Sequence, residues 1–219
     1  MNAQTSTSLH SSTEPRNESV TDPTEASVSS GITINGITLT APRAPRQNEV
    51  FTADALTFLS TLHREFGTRI AELQAPELQP QRNFAPSPTG RRGSAEEAEA
   101  SWKALVERYL VEPPAAFATP RRLTRSEDRI FSNGQPLSAG LVDFALHIQR
   151  RARRLVSEGR APFISLLGIE GEEELEIWQE MFTRAEELVG LPAGTIRAIT
   201  FSAEQDDAGG AVLLQKRAR

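Results

Sequence analysis

The chain has 219 residues, 24 Lys plus Arg against 29 Asp plus Glu for a net charge of −5, and 38% hydrophobic residues, about 44% once its 14 glycines are counted. That is close to the roughly 45–50% of ordinary globular domains, enough for one modest core with a tail, and the acidic balance argues against nucleic-acid binding, which draws on surplus cations. The lack of cysteine excludes a disulfide framework, thiolate metal ligands and a Cys nucleophile, and His10, His63 and His147 lie too far apart for a paired zinc spacing.

No stretch approaches the ~20 apolar residues of a membrane span. Met1 to Ser30 lacks the basic start and apolar core of a secretory signal. The chain therefore reads as intracellular, with the cytoplasm favoured, because Arg217-Ala218-Arg219 does not spell the Ser-Lys-Leu peroxisomal address.

Residues 1–30 are Ser, Thr, Asn, Glu and Pro with almost nothing to bury, which predicts a disordered tail. Gly31 to Thr40 alternates β-branched residues about Asn35-Gly36, the chemistry of a short hairpin, so residues 1–49 read as a tail with a hairpin. Leu56, Leu59, Leu62, Phe66, Ile70 and Leu73 then recur at three- and four-residue steps on one long helix, with Thr52 as N-cap and Pro76 as stop, in a segment spanning 50–76. Residues 77–93, rich in Pro and Gly, form a linker or open loop.

The remainder, 94–219, reads as one α/β domain. A helix from about Ser94 buries Trp102, Leu105, Val106, Tyr109 and Leu110 until Pro113-Pro114 stops it. Another spans Gly140 to Glu158, with Leu141, Phe144, Ala145, Ile148, Ala152 and Leu155 inward. Phe163 to Leu167, a helix from Gly171 to Val189 with Leu175, Trp178, Phe182, Ala185 and Leu188 inward, and Thr195 to Phe201 make a strand–helix–strand unit. Ala211 to Leu214 is a further apolar run.

Two charge runs stand out. Arg150, Arg151, Arg153 and Arg154 suggest a nucleic-acid patch, but they fall on the solvent face of their helix, where long cationic side chains are routine. Glu170, Glu172, Glu173, Glu174 and Glu176 complement a helix dipole, although Glu170 sits at a strand end, where α/β folds place their sites. No phosphate-cradling glycine loop, nucleophile elbow or ordered Ser-His-Asp set is visible.

Three ordered segments carry a resemblance. Phe51 to Phe66 ends in Leu-His63-Arg64-Glu-Phe66. Pro120-Arg121-Arg122-Leu-Thr is followed by Asn133-Gly-Gln-Pro-Leu-Ser138-Ala-Gly-Leu-Val-Asp143-Phe144. Ala161-Pro-Phe-Ile-Ser-Leu runs through Glu170, Trp178 and Phe182 to Gly190-Leu-Pro-Ala-Gly194-Thr-Ile-Arg197-Ala198. In this order they resemble the malate synthase family. The resemblance implies a (β/α) barrel of the TIM type with an N-terminal helical clasp, of which this chain supplies about three of eight strands, a partial barrel too short to close.

The resemblance further implies condensation of acetyl-CoA with glyoxylate, with magnesium as cofactor. Its catalytic arginine, which stabilises charge developing on glyoxylate oxygen, falls at Arg121, although Arg122-Leu123-Thr124 replace the family's Gly-Trp-His. The family's metal-binding Glu falls at Ala203. Glu204 is one residue late and points to the opposite strand face, and the second magnesium ligand falls among Gln205-Asp206-Asp207. The family's lysine before Glu170 is replaced by Gly168, its Glu-Asp-Ser motif by Ala95-Glu96-Glu97, and its aspartate base has no counterpart in the matched segments. Two readings stay open: an acyltransferase of this family, or a non-catalytic homologue that docks through its open barrel edges on a full-length malate synthase. No metal ligand is assigned, and neither nucleic acid nor membrane is an expected partner.

Overall fold

A computed structural model describes residues 32–74, 95–111, 117–201 and 211–214. In chain order its elements are β1 (Ile32–Ile34), β2 (Ile37–Leu39), α1 (Gln47–Val50), α2 (Ala53–Gln74), α3 (Ala95–Leu110), β3 (Phe117–Ala118), β4 (Ser126–Ser132), β5 (Gln135–Ser138), α4 (Ala139–Ser157), β6 (Phe163–Leu167), α5 (Glu172–Val189), β7 (Arg197–Phe201) and β8 (Ala211–Leu214). The expected linker, 77–93, lies outside the described residues, as do the expected tail 1–30 and Ala203, Glu204, Asp206 and Asp207.

The Asn35-Gly36 hairpin is present, with both residues at positive φ, 51° and 79°. It does not stand alone: β2 pairs antiparallel with β4, setting Leu39 opposite Ile130, and Ile37 is fully buried. A second turn of the same chemistry, Asn133-Gly134, joins β4 to β5 and completes a four-stranded antiparallel sheet in the order β1-β2-β4-β5. No apolar alternation announces β4. Its buried positions are Glu127, Ile130 and Ser132, and its register with β5 shifts between Glu127 and Phe131.

The other sheet has the order β3-β6-β7-β8. Its strands β3, β6 and β7 are parallel, and α5 supplies the crossover from β6 to β7. Gly190-Leu-Pro-Ala-Gly194-Thr is held at the entry to β7 by buried Glu186, whose carboxylate accepts from Gly194 N at 2.8 Å and Ile196 N at 2.6 Å. The final run, β8, pairs antiparallel with β7. All strands of a (β/α) barrel run parallel, so this sheet is a three-strand segment of that architecture with an antiparallel edge, and it stays open.

One core joins the two sheets through the helices. Leu56, Leu59, Leu62, Phe66 and Ile70 of α2 are buried, and the helix packs on both α4 and α5. Thr52 Oγ1 accepts from Ala55 N at 3.1 Å, the expected N-cap, and Ser138 does the same for α4. Every residue from Ala139 to Ile148 is buried, so the first half of α4 is enclosed all round. The inward face of α5 is rotated from the expected one: Leu175 and Leu188 are half-buried, while Ile177, Met181 and Val189 fill the core beside Trp178, Phe182 and Ala185. Among the described residues no helix is long and apolar enough to cross a membrane.

Candidate functional site

The C-terminal ends of parallel strands are where β/α architectures place ligands, because the loops there are free of the sheet's hydrogen-bond ladder. Arg121 lies three residues past the end of β3, at that edge. The segment around it is pressed against the first turn of α4. A Cβ on Gly140 would fall 2.5 Å from the Arg121 carbonyl oxygen and 3.0 Å from the Arg122 carbonyl carbon, so only glycine permits the approach.

That approach brings Asp143 under the arginine. Asp143 Oδ2 accepts from Arg121 N at 3.0 Å and Nε at 2.8 Å, and Oδ1 accepts from Nη2 at 2.9 Å, a bidentate fork with a backbone donor added. Arg121 Nη1 donates to Glu127 Oε2 at 2.7 Å. The Tyr109 hydroxyl donates to Asp143 Oδ1 at 2.9 Å, and Arg108 Nη2 to the same oxygen at 3.1 Å. The Asp143 and Glu127 side chains are 5% and 4% exposed, whereas Arg121 keeps 24% of its own open.

The electrostatics follow from that enclosure. Burial alone would pull the Arg121 guanidinium down, but hydrogen bonds and charge from Asp143 and Glu127 hold it above its ordinary value, so it stays cationic. Burial, reinforced by the Asp143 charge, pushes the Tyr109 phenol up and keeps it a donor. Arg122 pairs with Glu170, bridging the ends of β3 and β6. Gly168, at φ 67°, turns the chain between β6 and Glu170, and buried Glu174 accepts from the Glu170 amide at 3.0 Å.

Of the residues singled out from sequence, Arg121 and Glu170 therefore share one edge of the sheet. The arginine run does not form an open patch. Arg150, Arg151 and Arg153 donate to the carbonyls of Glu49, Val111 and Val189, and Arg154 to Glu158. Four residues that complete the Arg121 site, Arg108, Tyr109, Glu127 and Asp143, were not assigned from sequence. The available signal was Asp143 itself, an acid inside the apolar run Leu141 to Ile148.

The described donor set does not suit magnesium, a hard cation that takes several oxygen ligands. Glu127 and Asp143 are both engaged with Arg121, and among the described residues no three His, Asp or Glu side chains gather to hold a metal.

Residues 117–208 match the family described as "Malate synthase, TIM barrel domain". The chain is 28% identical to a malate synthase of Streptomyces clavuligerus over 73% of its own length and 44% of that relative. It is 39% identical to a glyoxysomal malate synthase of Cucurbita maxima over 37% of the chain and 15% of the relative. For a malate synthase of Myxococcus xanthus the figures are 33% identity, 41% and 17%. The chain thus spans less than half the length of the curated relatives it matches. The region covered begins at β3 and includes Arg121, its partners Glu127 and Asp143, and the β6–α5–β7 unit. Residues 117–208 thus resemble the TIM-barrel domain of the malate synthases, and Arg121 lies within the matched region.

Proposed function

We propose that this chain carries the glyoxylate-holding part of a malate synthase site and binds that 2-oxo acid without condensing it with acetyl-CoA on its own. The observation that supports this is the Arg121 guanidinium at the ends of the parallel strands, fixed from two sides by Asp143 and Glu127 and still 24% open. A cation oriented before the ligand arrives has no reorganisation left to do when negative charge develops on a substrate oxygen. Arg121 would bind and orient glyoxylate, while Asp143 and Glu127 keep the guanidinium from turning away.

Condensation also needs a base to take a proton from the acetyl methyl, and a way to polarise the aldehyde. The described carboxylates at this edge are already paired: Asp143 and Glu127 with Arg121, and Glu170 with Arg122. We therefore derive no step through magnesium, and no carboxylate here takes the role of the base.

The test combines glyoxylate binding by calorimetry with release of free CoA from acetyl-CoA, with and without magnesium. The expected result is glyoxylate binding that falls at least tenfold in Arg121→Ala, with no CoA release from folded protein. Magnesium-dependent CoA release lost in Arg121→Ala would overturn the proposal and make the chain an enzyme, with Glu204 or Asp206 as the ligands to examine first. A second reading, docking on a full-length malate synthase, is favoured by β3, whose outer edge has no strand partner among the described residues. Co-elution of the two proteins in size-exclusion chromatography would support it.

A further inference from the structure

A cavity of about 380 Å³ lies between the end of α3, the residues that follow β3 and the middle of α4. Arg121 is not in its lining, although Arg108, Tyr109 and Asp143, which surround Arg121, are. Carbon walls come from Val111, Ala118, Pro120 and the Tyr109 ring, and His147 and Arg151 face them beside the Arg108–Asp143 pair.

His147 is 3% exposed, and its Nε2 has no hydrogen-bond partner among the described residues. Buried polar atoms are nearly always paired, so an orphan facing a cavity needs a reason. Burial, with the Arg151 charge beside it, pushes the imidazole down to about 4. At neutral pH the ring is uncharged and carries a single N–H. Arg151 is half-buried and donates to the Val111 carbonyl at 2.9 Å, but it has no carboxylate partner among the described residues. Burial and the neighbouring Arg150 lower its proton affinity. Asp143 also lines the cavity, yet its charge is taken up by Arg121 and Arg108. A cation with no carboxylate partner and an imidazole nitrogen with no hydrogen-bond partner among the described residues meet an apolar wall in one space of the size that small-molecule sites occupy.

We propose that this cavity binds a small organic carboxylate, with the carboxylate between Arg151 and the Nε2–H of His147 and the hydrocarbon body against Val111, Ala118 and Pro120. The carboxylate selects the imidazole tautomer protonated at Nε2, because only that one can donate to it. Glyoxylate has no hydrocarbon body to fill the space, which separates this ligand class from the one assigned to Arg121.

The experiment titrates the full chain at pH 7 and fixed ionic strength with hexanoate, with its neutral isostere hexanamide and with inorganic phosphate, following the imidazole ¹⁵N resonances assigned through His147→Phe. Hexanoate is expected to saturate and to settle His147 in the Nε2–H form, with hexanamide and phosphate at least tenfold weaker. Arg151→Gln should lower hexanoate affinity at least tenfold. Equal binding of hexanoate and hexanamide would reduce the cavity to an apolar slot. Phosphate binding as well as hexanoate would remove the role of the carbon walls, and either result overturns the proposal. So would unchanged affinity in an Arg151→Gln protein that melts like the parent. Should that variant fail to fold, the hexanoate and hexanamide comparison on the parent chain decides alone.

Discussion

At one end of α4 the guanidinium of Arg121 is enclosed between two buried carboxylates, while at the other Arg150, Arg151 and Arg153 spend theirs on the backbone carbonyls of Glu49, Val111 and Val189. The first arrangement matches full charges out of water. The second matches a full charge to a carbonyl dipole near the surface. Desolvation decides what each is worth. Removing one member of a buried pair strands the other, whereas a cation at the surface returns to solvent.

The sharpest way to break this contrast is Asp143→Ala. It leaves Arg121 without its fork and the Tyr109 hydroxyl with only the longer contact to the backbone carbonyl at 143, 3.4 Å, and urea denaturation should show a loss of about 3–5 kcal/mol. If Asp143→Ala proved as mild as Arg153→Ala, the two ends would not differ as described.

The pH dependence of stability is next. His147 has a folded-state value of about 4 against an ordinary 6.5. Between those two values the unfolded chain binds a proton that the folded chain does not, so stability falls as pH drops from 6.5 to 4, by roughly 3 kcal/mol in total. His63, also lowered by burial, acts in the same direction. His147→Phe should flatten its own share of the slope, read from urea midpoints at pH 7 and pH 4.5.

Gly140→Ala comes third. Its new methyl group meets backbone rather than a flexible side chain, so relief requires α4 and the Arg121 segment to part, at a cost of about 1–3 kcal/mol. Thermal unfolding would measure that cost, and glyoxylate binding should weaken with it. The smallest effect is expected of Arg153→Ala, which loses one hydrogen bond to Val189 O and should stay within about 1 kcal/mol of the parent in the same urea assay.

How far each of these features could be read in advance depended on whether hydrophobicity or pairing decided it. The Asn35-Gly36 turn, α2, α4 and the β6–α5–β7 unit are set by turn chemistry and apolar spacing, both local. By contrast β4 buries Glu127 where a strand pattern would show an apolar residue, and the reason is Arg121, six residues earlier in sequence and on another segment of the fold. Asp143 was hidden likewise, because its partners come from α3 and the loop after β3. Arg121 is singled out only by the order of residues around Pro120, not by any local physical signal. The expected Trp178 and Phe182 do face inward, and Phe144 of α4 meets them at 5.7 and 5.4 Å, a contact between helices that spacing within one helix does not encode.

Its two tryptophans divide the chain in a useful way. Trp102 stacks on Phe51 at 5.2 Å and donates to Gln47 at 2.8 Å, so its emission reports whether α3 is docked on α1. Trp178 sits among Phe144 and Phe182 and reports the α4–α5 contact. Both belong to a single continuous core, with α2 spanning it. Single-tryptophan variants, Trp102→Phe and Trp178→Phe, should therefore each show one fluorescence transition coincident with the loss of helical circular dichroism, and the protein will melt as one cooperative unit.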